Sequence, residues 1–298
     1  MRRATDPSPL LLLTLCLGVL PGCRGPAPDA RPRVAVSVEP QRELVERLAG
    51  GAVEVVAMIG ANSDVESYSP SPQQMAALAS ARIFFKVGHP AFALERTYLE
   101  PWLARHPEVR QVSLATHVGR LLELGPGGGH AGPTGQGDPH LWMSVHAMRG
   151  AAAELATALV ELLPSAAPGI QARGRELDAE LAALDAELAE RFRAAAGRRF
   201  LVYHPALGYL ARDYGLVQEA IESDGKEPSP ARLAALIAAA RRDGVRIVLT
   251  QRGMPPRSAQ ILAAEVGATV TEVDPMAADW LANVRRIGAA IAGALVHG

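Results

Sequence analysis

Residues 170–192, IQARGRELDAELAALDAELAERF, carry one apolar stripe wrapped in charge. Ile170, Leu177, Leu181, Leu184, Leu188 and Phe192 recur at steps of seven, four, three, four and four, with Arg, Asp and Glu between them. That period is the helical one, with a single face turned to a core. A continuous helix over 168–197 would be about 45 Å long at about 1.5 Å per residue. It would run the length of a two-lobed protein. About three heptads between patterns of another kind speak against an isolated coiled coil.

Strand and helix alternate on both sides of this stretch. Upstream, Val34, Val36 and Val38 alternate as in a strand, and residues 42–48 are amphipathic. Residues 53–59, 83–87 and 112–114 then read as strands, and residues 72–79 as a helix. Downstream, 200–203, 247–250 and 269–273 read as strands, and 231–242, 257–266 and 280–296 as helices. This is the rhythm of parallel α/β sheets. The expected architecture is two α/β lobes, each a parallel sheet flanked by helices, joined by one long rigid helix. The lobes are placed at 34–165 and 198–298, with the connector at 166–197.

The N-terminus carries an export signal. Arg2 and Arg3 precede an apolar run, residues 10–20, too short to span a bilayer, and the run ends at Leu20-Pro21-Gly22-Cys23. A lipoprotein signal over residues 1–22 is expected, with Cys23 acylated and residues 23–33 acting as a flexible, proline-rich tether. The only other cysteine, Cys16, lies in the removed segment. Thiolate metal sites and cysteine nucleophiles are therefore excluded, and a metal would have to use imidazole and carboxylate. Loss of residues 1–22 removes two Arg and one Asp, leaving 30 − 2 = 28 basic and 31 − 1 = 30 acidic side chains. A net charge near neutrality gives no reason to expect nucleic acid.

Four side chains able to bind metal sit in distant segments: Glu66 in DVESYSPSP, His140 in GDPHLW, His204 in VYHPALGY and Asp274 in EVDPM. Only the tertiary fold could gather them. Glu66, His204 and Asp274 each follow a strand, and ligands collect in loops at the carboxyl ends of parallel strands. Each residue has a plainer role open to it. His140 is read as opening a helix through Met148, Asp274 before Pro275 could only shape a turn, and Glu66 could be an ordinary exposed carboxylate.

Taken together, ESYSPSP followed by QQMAAL, FFKVGHPAF, DPHLWMS, VYHPALGYLARDYGL, SDGKEPSP and EVDPM resemble the zinc- and manganese-binding solute-binding proteins of bacterial ABC importers, the family with the TroA-like fold. The resemblance runs from about Val34 to the C-terminus. It implies a metal site of four ligands, with His140, His204 and Asp274 as the second, third and fourth. The first is usually a His in a Pro-His-x-Tyr-x-Pro loop, and Glu66 stands there in this chain. His89 in VGHPAF, also after a strand, is the alternative first ligand, and its other reading is a solvent-facing loop residue. His204 matches the zinc pattern of the family, so Zn²⁺ is the expected cargo, with Mn²⁺ or Fe²⁺ as alternatives.

The glycine-rich stretch GPGGGHAGPTGQGDP, residues 125–139, stands where zinc-binding relatives carry a His-rich loop, but holds only His130. It has no phosphate-loop ending. The resemblance further implies a periplasmic or surface lipoprotein that acts as a monomer, is anchored by lipid and delivers metal to an ABC transporter membrane permease. A rival reading is an exported zinc hydrolase, with Glu66 as base and the metal on His89, His140 and His204. No H-E-x-x-H or G-x-S-x-G motif supports it. A third reading is an adhesin-like surface lipoprotein.

Overall fold

Strand β1 (Arg33–Val38) is the middle of the first sheet, and its sequence RVAVSV shows why. From Val34 to Val38 every residue is buried, which suits a near-continuous apolar run covered on both faces by helices. The computed structural model describes residues 31–61, 63, 65–121, 137–222, 225–252 and 257–296. Cys23, most of the tether, His130 and the signal segment lie outside the described residues.

Among the described residues, β1 pairs in parallel with β2 (Glu54–Ile59) and β3 (Ala81–Lys86), and β3 with β4 (Arg110–Ser113), giving the order β2-β1-β3-β4. The second sheet repeats that order. Strands β5 (Arg199–Val202), β6 (Val217–Ala220), β7 (Ile247–Gln251) and β8 (Thr269–Val273) run parallel as β6-β5-β7-β8. Both sheets belong to one compact unit, residues 31–298. The parallel α/β expectation is met in both lobes.

Helix α1 (Pro40–Ala49) follows β1 and stops at Gly50, which takes the left-handed conformation, φ 59°. A side chain there would also strike the guanidinium of Arg173. That group donates to the carbonyls of Leu48 and Ala49 at 2.9 and 3.1 Å, satisfying helix-end acceptors. Helix α2 (Pro72–Ala79) begins with a capping box: Ser71 accepts from the Gln74 backbone N–H, and Gln74 accepts from that of Ser71. After β3 a π-turn, Glu95–Leu99, runs into the short α3 (Glu100–Leu103).

Helix α4 (Val145–Leu162) corrects the reading of His140 as a helix start. The helix begins after Ser144, whose hydroxyl accepts from Ala147 N at 3.1 Å. His140 instead precedes a 3₁₀ turn, Leu141–Met143. Serine wins the cap because its short hydroxyl reaches the orphan amide.

The long helix is α5 (Ala167–Phe192), and its buried residues are Ile170, Leu177, Leu181, Leu184, Leu188 and Phe192, the whole predicted stripe. Each contributes about 1.5–3 kcal/mol on burial. The helix is shorter than expected, because Arg193–Ala195 tightens to a 3₁₀ turn before Gly197. Such a turn gives terminal carbonyls i→i+3 partners. It packs on α1 and α4, and on the final helix, α9 (Trp280–Val296). Helices α6 (Gly208–Asp213), α7 (Pro230–Arg242) and α8 (Arg257–Val266) complete the second lobe. Periodicity missed α6 and β6, since six residues make fewer than two turns and VQEA has no apolar alternation. No described helix is long and apolar enough to cross a membrane.

Candidate metal centre

His140 and His204 meet although 64 residues separate them in the chain. Their ring centroids lie 5.3 Å apart with planes at 83°. His204 follows β5, at the carboxyl end of the second sheet, and His140 lies in the segment leading to α4. Each ring is held by a buried carboxylate. His140 Nδ1 is 2.7 Å from Asp138 Oδ1, which also accepts the His140 backbone N–H at 2.9 Å. His204 Nδ1 is 2.9 Å from Glu222 Oε1. Asp138, His140 and Glu222 are all at most 4 % exposed, and His204 is 8 %. Against a carboxylate the neutral imidazole keeps its proton on Nδ1, so the lone pair sits on Nε2.

Glu66, in the loop between β2 and α2, reaches this pair. Its Oε1 is 3.8 Å from His204 Nε2, and its side chain is 35 % exposed. The loop is braced behind it, where Tyr68 Oη and Gln74 share hydrogen bonds and Gln74 Nε2 donates to Met58 O at 2.7 Å.

Asp274 follows β8 and is held by its own backbone neighbourhood. Its Oδ1 accepts from Met276 N at 2.9 Å, and its carbonyl accepts from Asn283 Nδ2 at 2.7 Å. The loop is bound to the His140 segment by two indoles. Trp142 Nε1 donates to Pro275 O at 2.9 Å, and Trp280 Nε1 donates to Trp142 O at 2.7 Å. A cavity of about 470 Å³ opens beside Asp274, lined also by Ala61, Arg252, Glu272, Asp279 and Arg286.

His89 is buried, 2 % exposed, which corrects the picture of a solvent-facing loop histidine. Its Nδ1 accepts from Ala91 N at 3.0 Å, and its Nε2 is buried without a hydrogen-bond partner. Accepting at Nδ1 places the proton on Nε2, the tautomer opposite to that of His140 and His204. Burial pushes its pKa down, against the pull of nearby Asp138, with His140 adding to the fall. The ring is thus kept neutral.

The fold brings Glu66 and His140 to His204, and ties the Asp274 loop to the His140 segment. Among the described residues, no three His, Asp or Glu side chains already enclose a point as a metal cage would. The donor chemistry fits a borderline divalent cation: two Nε2-presenting imidazoles, with carboxylates nearby. Sequence reasoning missed Asp138 and Glu222. Asp138 had a local signal, an Asp two residues before the candidate His, whereas Glu222 follows the strand that periodicity missed.

Comparison with known proteins converges. A family model described as zinc-uptake complex component A, periplasmic (ZnuA), matches residues 34–294. A protein of Treponema pallidum (strain Nichols), provisionally named as metal-binding, is 27% identical over 257 residues, covering 82% of this chain and 79% of its own. The zinc-binding lipoprotein AdcA of Streptococcus pneumoniae (serotype 4, strain TIGR4) is 27% identical over 283 residues, 90% of this chain but 54% of AdcA. A crystal structure of ZnuA superposes with a TM-score of 0.77 at 32% identity, covering 89% of this chain and 99% of that one.

Proposed function

Since the chain belongs to the ZnuA family, zinc-uptake complex component A, we propose that it is an extracytoplasmic solute-binding protein that captures a divalent metal ion, Zn²⁺ foremost. It passes the ion to the membrane permease of an ABC importer, and performs no catalytic step of its own. In this reading Cys23 carries the lipid anchor and the protein works as a monomer. The proposed ligands are Glu66, His140, His204 and Asp274.

The observation that carries this reading is the paired imidazoles, His140 and His204, 5.3 Å apart and each backed by a buried carboxylate. Such backing is how proteins orient a histidine for a metal. Glu66 is favoured over His89 as first ligand on two grounds. Glu66 Oε1 is within 3.8 Å of His204 Nε2. His89 would have to surrender its bond from Ala91 N before Nε2 could offer a lone pair.

Capture follows from where the donors stand. Glu66 and His140 belong to the first lobe and its return segment, His204 and Asp274 to the second. An ion held by all four stabilises the arrangement in which they converge, by its differential affinity for that state. The long α5 and the indole bonds between Trp142, Pro275 and Trp280 limit the motion to a small one. Two imidazoles with two carboxylates suit tetrahedral Zn²⁺ better than an all-oxygen octahedral ion.

Competition titration of the purified protein with Zn²⁺, Mn²⁺ and Fe²⁺ tests the reading. Tight one-to-one Zn²⁺ binding, weakened by Glu66→Ala and Asp274→Ala, is the expected result. Tighter binding of Mn²⁺ or Fe²⁺ would reassign the cargo, and absence of tight binding of any of the three would end the metal reading.

A further inference from the structure

We infer that Asp138 and Glu222 are positioning residues that set, before any ion arrives, the tautomer and aim of the two imidazoles that receive it. The inference rests on the metal reading of the site and adds to it a pair of residues, one for each histidine. Both carboxylates are nearly inaccessible, at 3 % and 4 % exposure. Burying a carboxylate is costly unless polar partners compensate it, so the groups that each one faces explain its place. Their placement shows what they face. Asp138 Oδ1 takes both the backbone N–H and the Nδ1–H of His140, at 2.9 and 2.7 Å, so the peptide and the ring are fixed by one oxygen. Glu222 reaches His204 Nδ1 at 2.9 Å from the segment after β6, while its own backbone N–H donates to Tyr203 O at 3.2 Å.

Two consequences follow from the chemistry. A ring whose Nδ1–H is already committed to a carboxylate presents Nε2 as its only lone pair, so binding requires no tautomer exchange and little loss of rotamer freedom. The carboxylate also enriches the electron density of the ring, which strengthens Nε2 as a donor to a cation. His89 provides the internal contrast. It is just as buried, but its Nδ1 accepts from a backbone amide and its proton is left on Nε2. A carboxylate behind the ring thus separates the two receiving histidines from the third.

The test reads tautomers without metal and affinity with it. In metal-free protein labelled with ¹⁵N-histidine, long-range ¹H–¹⁵N correlation should show His140 and His204 as Nδ1–H tautomers and His89 as Nε2–H. Asp138→Ala should shift His140, and Glu222→Ala should shift His204, toward a mixture of tautomers. Each should weaken Zn²⁺ binding by about 10–100-fold. Asp138→Asn and Glu222→Gln, which keep an acceptor oxygen and the side-chain volume, should recover part of both effects and cover the case in which an alanine variant does not fold. Nε2–H tautomers at His140 and His204 in the wild type would overturn the inference. So would unchanged Zn²⁺ affinity in well-folded alanine variants. Zn²⁺ binding that survives His140→Ala and His204→Ala would overturn the placement of the ion on these two rings instead, and the two failures are separable because the tautomers are measured without metal.

Discussion

The loops 87–95 and 138–144 hold the same inventory, a buried histidine and a buried carboxylate, wired in opposite ways. In the first, the carboxylate takes backbone: Glu95 accepts the N–H groups of Val87 and Gly88 at 2.7 Å each, together with the Ser37 hydroxyl. His89 in that loop is left to accept from Ala91. In the second, the carboxylate takes the ring, and Asp138 holds His140 by Nδ1. Residue type alone therefore does not make a ligand. The partner of Nδ1 decides which nitrogen can face a metal.

Removing the receiving rings themselves should cost the most affinity. A structural zinc site is worth about 10–16 kcal/mol, so one ligand of four carries about 3–4 kcal/mol, or about 2–3 orders of magnitude in affinity. His140→Ala and His204→Ala should each lose about that much Zn²⁺ affinity in a competition titration. His89→Ala, removing a ring of equal size from the neighbouring loop, should change it by less than about tenfold. Equal losses for His89→Ala and His140→Ala would erase the distinction between the loops and restore His89 as a ligand.

The carboxylate of the first loop, Glu95, should make stability depend on pH. Burial raises the pKa of Glu95 to about 7, against the lowering by Ser37, Gly88, Val87 and Lys86. A carboxyl whose folded pKa lies above its unfolded value contributes stability that is complete below about pH 4.5 and is lost as the pH rises through about 7. The window is about 2.5 units, or about 3 kcal/mol. Glu95→Gln stays neutral throughout. Urea unfolding of both proteins in the presence of chelator should therefore show the wild-type advantage shrinking by about 3 kcal/mol between pH 4.5 and 8. A constant difference would mean that the three donors offset the burial and hold the folded pKa of Glu95 at its unfolded value.

Much of this was legible in the chain. The six-residue stripe of α5 appeared whole, since a one-sided apolar helix leaves its period in the sequence. Helices 257–266 and 280–296 and strand 269–273 were likewise read at their observed bounds. His140, His204 and Asp274 stood out as metal-capable residues beside prolines, two of them at strand ends. The wiring behind them was not legible. That Glu222 stands behind His204 depends on β6 pairing with β5, a contact between residues 18 apart through a short edge strand with no apolar alternation. Pro90 marks the turn from His89 to Phe92 in the sequence, but not that the Ala91 amide within it donates to His89 Nδ1 and so sets the tautomer. Local period survives in a sequence, whereas the pairing of polar atoms across elements is fixed only when the chain folds.

The second loop also has what the first lacks, an indole bond to the far lobe. Trp142 is fully buried, two residues past His140, and its Nε1–H donates to Pro275 O beside Asp274. Trp142→Phe keeps most of the apolar volume and the backbone carbonyl that accepts from Trp280. It removes one donor and leaves the Pro275 carbonyl unsatisfied, a loss of about 1–3 kcal/mol. If the bond only cements the core, urea unfolding should register that loss and Zn²⁺ affinity should stay within about threefold. If the bond also holds Asp274 in register with His140, affinity should fall further than stability, because the ion must then spend part of its binding energy ordering the loop. The second outcome is expected. His140 and Asp274 are proposed ligands of one ion, and the indole bonds of Trp142 and Trp280 link their segments directly.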